Sequence, residues 1–168
     1  MFFVLASAKA QNFKSLSIKK LNGDTVSMAA LAGKKVLVIV LPLSQSDSNF
    51  SQIQAFRNRY LDTVQVVGVL SFEDGFQAAS SSAIQSLYSN MGIILTEGMY
   101  SRKTSGAIQA PFMRWLTDRT KNRHFDNDVQ GIGQKFFVSE SGRLFAVIAA
   151  ATSLSFPFID RIVHTPAQ

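Results

Sequence analysis

Ser44, Gln45 and Ser46 sit in a polar stretch, residues 43–47, between an apolar run at 36–41 and a segment at 49–60. In that segment Phe50, Ile53, Phe56 and Tyr60 recur at helical spacing. A strand that turns into a helix puts the turn at the strand's carboxyl end, where open α/β sheets hold ligands. A hydroxyl there acts as a nucleophile only with a base beside it. The chain offers two imidazoles, His124 and His164, and no G-x-S-x-G elbow. The serines therefore read as turn residues that cap the helix. Glu73 and Asp74, with Asp47, are the candidates for acid–base work; the plainer reading of Glu73 and Asp74 is a solvent-facing loop pair. The histidines show no H-x-x-x-H or H-E-x-x-H spacing, so neither a metal site nor a cofactor is expected. Gly131-Ile132-Gly133 looks like a phosphate loop in composition alone, because a strand follows it rather than precedes it. It reads as a flexible lead-in to a hairpin. The chain has no cysteine, which removes disulfides, thiolate catalysis and thiolate-bound metal.

The elements that would position these residues can be taken in order. Residues 13–18 alternate weakly as a strand, and Asn22-Gly23 supplies a hairpin turn before residues 25–28 return. Residues 36–41 are strand, with Ser48 or the Asn49/Gln52 pair as helix cap. Residues 63–70, TVQVVGVL, read as a strand covered on both faces. Strand, helix and strand at this spacing make a βαβ unit with parallel strands and a right-handed crossover. A helix at 83–88, a short strand at 93–95 and a helix opened by Pro111 follow, then a loop over 117–133. Residues 135–138 and 143–148 form a hairpin with Gly142 at its turn, and a last helix after Pro157 turns Phe158, Ile159, Ile162 and Val163 inward. The expected fold is an α/β sandwich of thioredoxin-like arrangement, with a mixed central sheet, a βαβ unit, a C-terminal β-hairpin and flanking helices.

At 168 residues, 46% hydrophobic and 17% charged, the chain is globular rather than disordered. It is expected to form one domain from Gln11 onward. A net charge of +6 draws it towards anions, but Arg119, Lys121 and Arg123 with His124 form the densest basic cluster, and it reads as a solvated loop. No nucleic-acid partner is expected, and no run is long enough to span a membrane. Residues 2–6 are apolar and Ala8-Lys9-Ala10 resembles a signal cleavage site, so export to a periplasmic or secreted location is expected, with residues 1–10 a remnant of the leader.

With the elements placed, the chain resembles the glutathione peroxidase family. Leu21-Asn22-Gly23-Asp24-Thr25-Val26-Ser27-Met28 with Gly33-Lys34-Lys35-Val36-Leu37 is similar to that family's opening D-G-x-x-V-S-L…G-K-x-V-L. Gln54-Ala55-Phe56 with Tyr60 resembles its L-Q-x-L…Y helix, and Pro111-Phe112-Met113-Arg114-Trp115-Leu116 its P-L-Y-K-W-L segment. Gly131-Ile132-Gly133-Gln134-Lys135-Phe136-Phe137-Val138 with Gly142 and Arg143 looks like W-N-F-x-K-F-L-V…G-x, the most specific match. The resemblance implies hydroperoxide reduction by a cysteine or selenocysteine assisted by Gln, Trp and Asn. Carried over by position, the nucleophile falls at Ser44 counting back from the helix, or at Gln45 counting forward from the strand. The assisting Gln becomes Glu73, a common resolving-cysteine position becomes Ser71, and the W-N-F triplet becomes Gly131, Ile132 and Gly133. Every catalytic position departs from the pattern.

A peroxidase thiolate is oxidised to a sulfenic acid that a thiol then reduces, and serine has no such ladder. A carboxylate at Glu73 would raise, not lower, the pKa of a neighbouring nucleophile. The expectation is a retained fold without the family reaction: a non-catalytic binding or scaffold domain, with a protein partner at the old active-site cleft. The alternative is hydroperoxide reduction, in response to oxidative stress, by an altered mechanism.

Overall fold

The computed structural model describes residues 12–166, and the leader-like reading of residues 1–10 lies outside the described residues. The chain enters through a 3-10 turn, Phe13–Ser15, where a strand was expected; Asn12 caps it by accepting from the Lys14 N–H at 3.1 Å. Extended pairing begins at β1 (Ser17–Lys19), which joins β2 (Thr25–Ser27) across a turn with Gly23 at φ 90°. The apolar run then forms β3 (Lys35–Val40), buried at every position. Because successive strand side chains face opposite ways, Leu37 and Ile39 pack into one hydrophobic layer and Val36, Val38 and Val40 into the other.

Helix α1 (Ser48–Arg59) carries the chain back to β4 (Val64–Ser71), which pairs parallel with β3 as the βαβ reading requires. After α2 (Ser81–Tyr88) comes β5 (Ile94–Met99), parallel to β4. β5 runs well past Leu95 because Gly98 and Met99 continue to pair with Leu70 and Ser71 after a shift in register. Pro111 opens α3 (Pro111–Thr117), and a single turn, α4 (Arg119–Asn122), interrupts the stretch expected to be loop. The hairpin β6 (Lys135–Val138) and β7 (Leu144–Ile148) pairs antiparallel with β3, and α5 (Pro157–His164) ends the described chain. The sheet order is β5-β4-β3-β6-β7, with β7 at the outer edge.

Two layers cover this sheet. Phe50, Ile53 and Phe56 of α1, Ile84 and Tyr88 of α2, and Ile159 and Val163 of α5 cover one face. Phe112, Met113, Trp115 and Leu116 of α3, with Phe13, Leu16 and Met28 from the N-terminal segment, cover the other. Phe158 and Ile162, expected inward, are only half-buried, since α5 lies at the rim of its layer. Among the described residues no helix is long and apolar enough to cross a membrane.

Lys135 is buried completely, because β6 lies between β3 and β7. Its ammonium donates to the carbonyls of Ala149 (3.4 Å), Ala150 (3.2 Å) and Thr152 (2.5 Å), so it pins the segment between β7 and α5. Burial pulls its pKa down to about 8.

Candidate functional site at the carboxyl end of the sheet

Val40 and Ser71 end their strands on the same side of the sheet, and the three loops that carry the expected site residues meet there. The first leaves β3. Pro42 is fixed by the Tyr88 hydroxyl, which donates to its carbonyl at 2.8 Å. Ser44, Gln45 and Ser46 are exposed. The Ser44 hydroxyl lies 2.9 Å from that of Ser46 and accepts from the Ser46 N–H at 3.2 Å. The helix cap is neither Ser48 nor Asn49 but Asp47, whose Oδ1 accepts from the Asn49 N–H at 2.8 Å and its side-chain amide at 2.9 Å. The positive end of the α1 dipole lies at this turn. Here that end faces the Asp47 carboxylate.

The second loop leaves β4, and it corrects the reading of Glu73 and Asp74 as a solvent-facing pair. Glu73 accepts from the Ser101 N–H (2.9 Å), the Arg102 N–H (3.0 Å), the Ser105 hydroxyl (2.6 Å) and the Ser71 hydroxyl (3.0 Å). Burial opposes its ionisation, but the Ser105 hydroxyl and the N–H groups of Arg102 and Ser101 outweigh it and hold its pKa down to about 2. A carboxylate this acidic and this engaged is no general base near neutrality. Asp74 pairs with Arg102, and Asp74 Oδ2 and Arg102 Nε are buried with no further partner among the described residues. Between Ser71 and Glu73, Phe72 is exposed and its ring lies 5.2 Å from that of exposed Tyr100.

The third loop precedes β6. The Gly133 N–H donates to the Val40 carbonyl at 2.8 Å and the Gln134 N–H to the Gly131 carbonyl at 3.1 Å, so this is a hydrogen-bonded turn and not a flexible lead-in. Gly131 has φ 134° and Gly133 φ 86°, backbone that L residues rarely adopt. A Cβ at Gly131 would lie 3.4 Å from Asp74 Oδ1, and one at Gly133 would come within 2.6 Å of Asn49 Oδ1. Ile132 is half-buried in the layer that contains Val129 and Phe125. Side chains are therefore barred at Gly131 and Gly133 by the backbone conformation, and at Gly133 by the close approach of Asn49 as well.

These approaches bring the loops together. Gly131 adjoins Asp74 and Arg102, Gly133 adjoins Asn49, and a Cβ at Gly75 would touch Leu43. What they assemble is a surface of hydroxyls, an amide, a committed carboxylate and an aromatic pair. His164 is far along the chain on α5, where its Nδ1 lies 2.9 Å from the Asp160 carbonyl. His124 lies in the loop after α4. The Ser44 and Ser46 hydroxyls bond to each other and to the Ser46 N–H rather than to an imidazole, and among the described residues no group of His, Cys, Asp and Glu is arranged to hold a metal ion. Apart from Ser71, the donors to Glu73 come from residues 28 to 32 positions further on, and the pairing of β4 with β5 brings them into reach. The Phe72–Tyr100 pair was also missed; an aromatic next to the Glu73 position was the one signal available.

No protein family model matches the chain, and no curated protein matches it in sequence. Solved structures do. The crystal structure of Trgpx in apo form aligns at 17% identity over 94% of this chain and 100% of that one, with a TM-score of 0.63. T. cruzi GPX1 aligns at 9% identity over 91% and 94%, with a TM-score of 0.67. A thiol:disulfide interchange protein of the thioredoxin family from Chlorobium tepidum TLS aligns at 21% identity over 94% and 97%, with a TM-score of 0.57. The fold is thioredoxin-like.

Proposed function

We propose that this chain is a glutathione peroxidase-like thioredoxin-fold protein that performs no thiol-peroxidase chemistry and serves as a binding domain. The observation that carries the reading is the absence of any cysteine in the chain, with Ser44 and Gln45 standing at the turn between β3 and α1. The surrounding chemistry agrees with it. Peroxide reduction needs a thiolate that can accept an oxygen atom and later return to the thiol, and neither a serine hydroxyl nor an engaged carboxylate can do this. The exposed Phe72 and Tyr100 beside the loops are the side-chain types that anchor protein partners, since each offers a large flat area at low entropic cost. A protein partner at the old cleft is the role this supports.

The test is hydroperoxide consumption by the purified protein with a thioredoxin or glutathione reducing system, beside Ser44→Cys and Gln45→Cys variants. The parent is expected to show none. A gain in one variant marks the position equivalent to the nucleophile, and that gain stays small because Glu73, Gly131 and Ile132 offer no donor to the peroxide. Reductant-dependent turnover by the parent, comparable with that of a cysteine peroxidase, overturns the reading.

A further inference from the structure

The sheet ends in two edges, and only one of them is blunted. Along β5 the N-terminal hairpin supplies the Lys20–Thr96 bridge, and the Leu21 N–H donates to the Leu95 carbonyl at 2.9 Å. Glu97 then places an exposed carboxylate on the same strand. Covering segments and charges of this kind keep an edge from pairing with another chain. β7 is the outer strand on the other side, and β6 is its one neighbour among the described residues. Its five residues, Leu144–Ile148, include no charge, proline or glycine. The bulge opposite Val138 lies at the head of the strand, and 146–148 keep regular register with Phe137, Phe136 and Lys135. In such a ladder alternate residues turn their N–H and C=O groups away from the inner neighbour.

A second feature lies beside that edge. α5 buries Ile159 and Val163 against the sheet. One flank of the helix faces α1, where Asp160 accepts from the Tyr60 hydroxyl at 2.7 Å and from Arg59 at 2.9 Å. The His164 ring, on the same flank, lies 6.0 Å from that of Tyr60. With about 3.6 residues per turn, Phe158 and Ile162 then lie on the other flank, away from α1. Both are half-buried, in the layer that also contains Phe145, Ala146 and Ile148 of β7. Phe156, half-exposed, extends this ridge by stacking on Phe158 at 5.9 Å and 14°. The helix thus carries a second apolar stripe that its own sheet leaves partly open.

We infer that β7 is a self-association edge: two copies pair their β7 strands antiparallel about a two-fold axis normal to the sheet, and their α5 ridges close over the seam. Three features favour a second copy over a foreign strand. Self-pairing of β7 sets uncharged residues opposite uncharged residues, so no like charges meet within the ladder. The axis keeps both α5 helices on one side, so the ridge of Phe156, Phe158 and Ile162 meets its counterpart; a lone extended peptide would cover the edge and leave the ridge open. Because β5 is blunted, the assembly closes at two chains instead of growing. The seam engages fewer residues than the roughly 20–30 a side of a standard interface, so the dimer is reversible. It does not depend on the reading of the loops around Ser44.

Sedimentation equilibrium of the full chain over about 1–300 µM tests the inference by mass action. The mass is expected to rise from that of one chain, 18.4 kDa, to that of two and to stop there. Hydrogen exchange locates the contact: outward-facing amides within 145–148 should exchange about tenfold more slowly at the high concentration, and those of β5 at an unchanged rate. Ala146→Lys and Ala146→Glu each place like charges across the seam and are expected to remain single chains. Mixed in equal amounts they should dimerise, since opposite charges then face each other, and this recovery separates lost association from lost folding. Phe156→Ser, at a half-exposed side chain outside the core, should weaken association about tenfold or more. A parent that stays a single chain at every concentration overturns the inference, whether the edge is then free or held by a foreign strand. Growth beyond two chains overturns it as well, and so does a dimer that leaves the 145–148 amides unprotected or persists unchanged in Ala146→Lys.

Discussion

Glu73 and Lys135 show burial acting on charges of opposite sign. For Glu73 the donors are preassembled, so its pKa falls to about 2 from an ordinary 4.5. Its contribution to stability is therefore complete above pH 4.5 and is lost as the pH falls towards 2. Glu73→Gln keeps the shape but turns an amide N–H₂ towards donors. It should cost about 2–3 kcal/mol near neutrality, and urea unfolding at pH 6 and pH 3 should show a smaller acid loss in the variant than in the parent. An equal loss would mean that another carboxylate titrates there. Lys135 has carbonyl partners only, so the folded state releases its proton near pH 8 while an unfolded lysine holds it to about 10.5. The unfolded chain then binds more protons across that window, and this group makes the fold more stable as pH rises from 8 to 10.5. By linkage the gain is about 3 kcal/mol at most. Lys135→Met should abolish this rise in urea-midpoint measurements at pH 8 and pH 10, and should also lower stability by about 1–3 kcal/mol at pH 7 through the stranded carbonyls.

At the scale of elements, the strands and helices were readable wherever burial repeats with a simple period. β3, α1, β4 and the β6–β7 hairpin lie within a residue or two of their expected places, because continuous or three-and-four-spaced apolar residues admit few other solutions. The misses have a common cause. Phe13–Ser15 curls instead of extending because Asn12 caps it, and α1 takes Asp47 as its cap although serine and asparagine stand next to it. Local side-chain competition of this sort leaves no periodic trace. The site was less readable still. Ser44, Gln45, Glu73, Gly131 and Ile132 could be placed on loops, but the donors to Glu73 and the backbone at Gly131 depend on residues far away in the chain. Lys135 did leave a signal, since a lysine at the head of a central strand has nowhere to go but inward. Gly133 tests how tightly the loops are joined. Its Cβ would meet Asn49 Oδ1 at 2.6 Å and the Ala150 carbonyl at 3.0 Å, on a φ of +86°. Gly133→Ala should cost about 2–3 kcal/mol and lower Tm by about 4–12 °C; a neutral effect would show that the loops move apart freely.

For the molecule as a whole, the α/β layers hold without any covalent crosslink, so the thioredoxin-like frame here depends on packing and on a few buried polar ties such as Lys35 to Glu140. The sheet's two edges are treated differently. β5 is partly screened by the N-terminal hairpin through the Lys20–Thr96 bridge, whereas β7 has no strand on its outer side among the described residues. Its sequence, Leu144-Phe145-Ala146-Val147-Ile148, has neither charge nor proline nor glycine. Such an edge is a template for cross-β growth once α5 or the 149–152 segment loosens. Heated protein should then form thioflavin-positive fibres faster at higher concentration, and Ala146→Lys, on a half-buried position, should slow them with little change in Tm. The lysine clamp at position 135 thus acquires a kinetic meaning. By holding the segment that follows β7, it sets how often the chain offers its edge to another copy of itself.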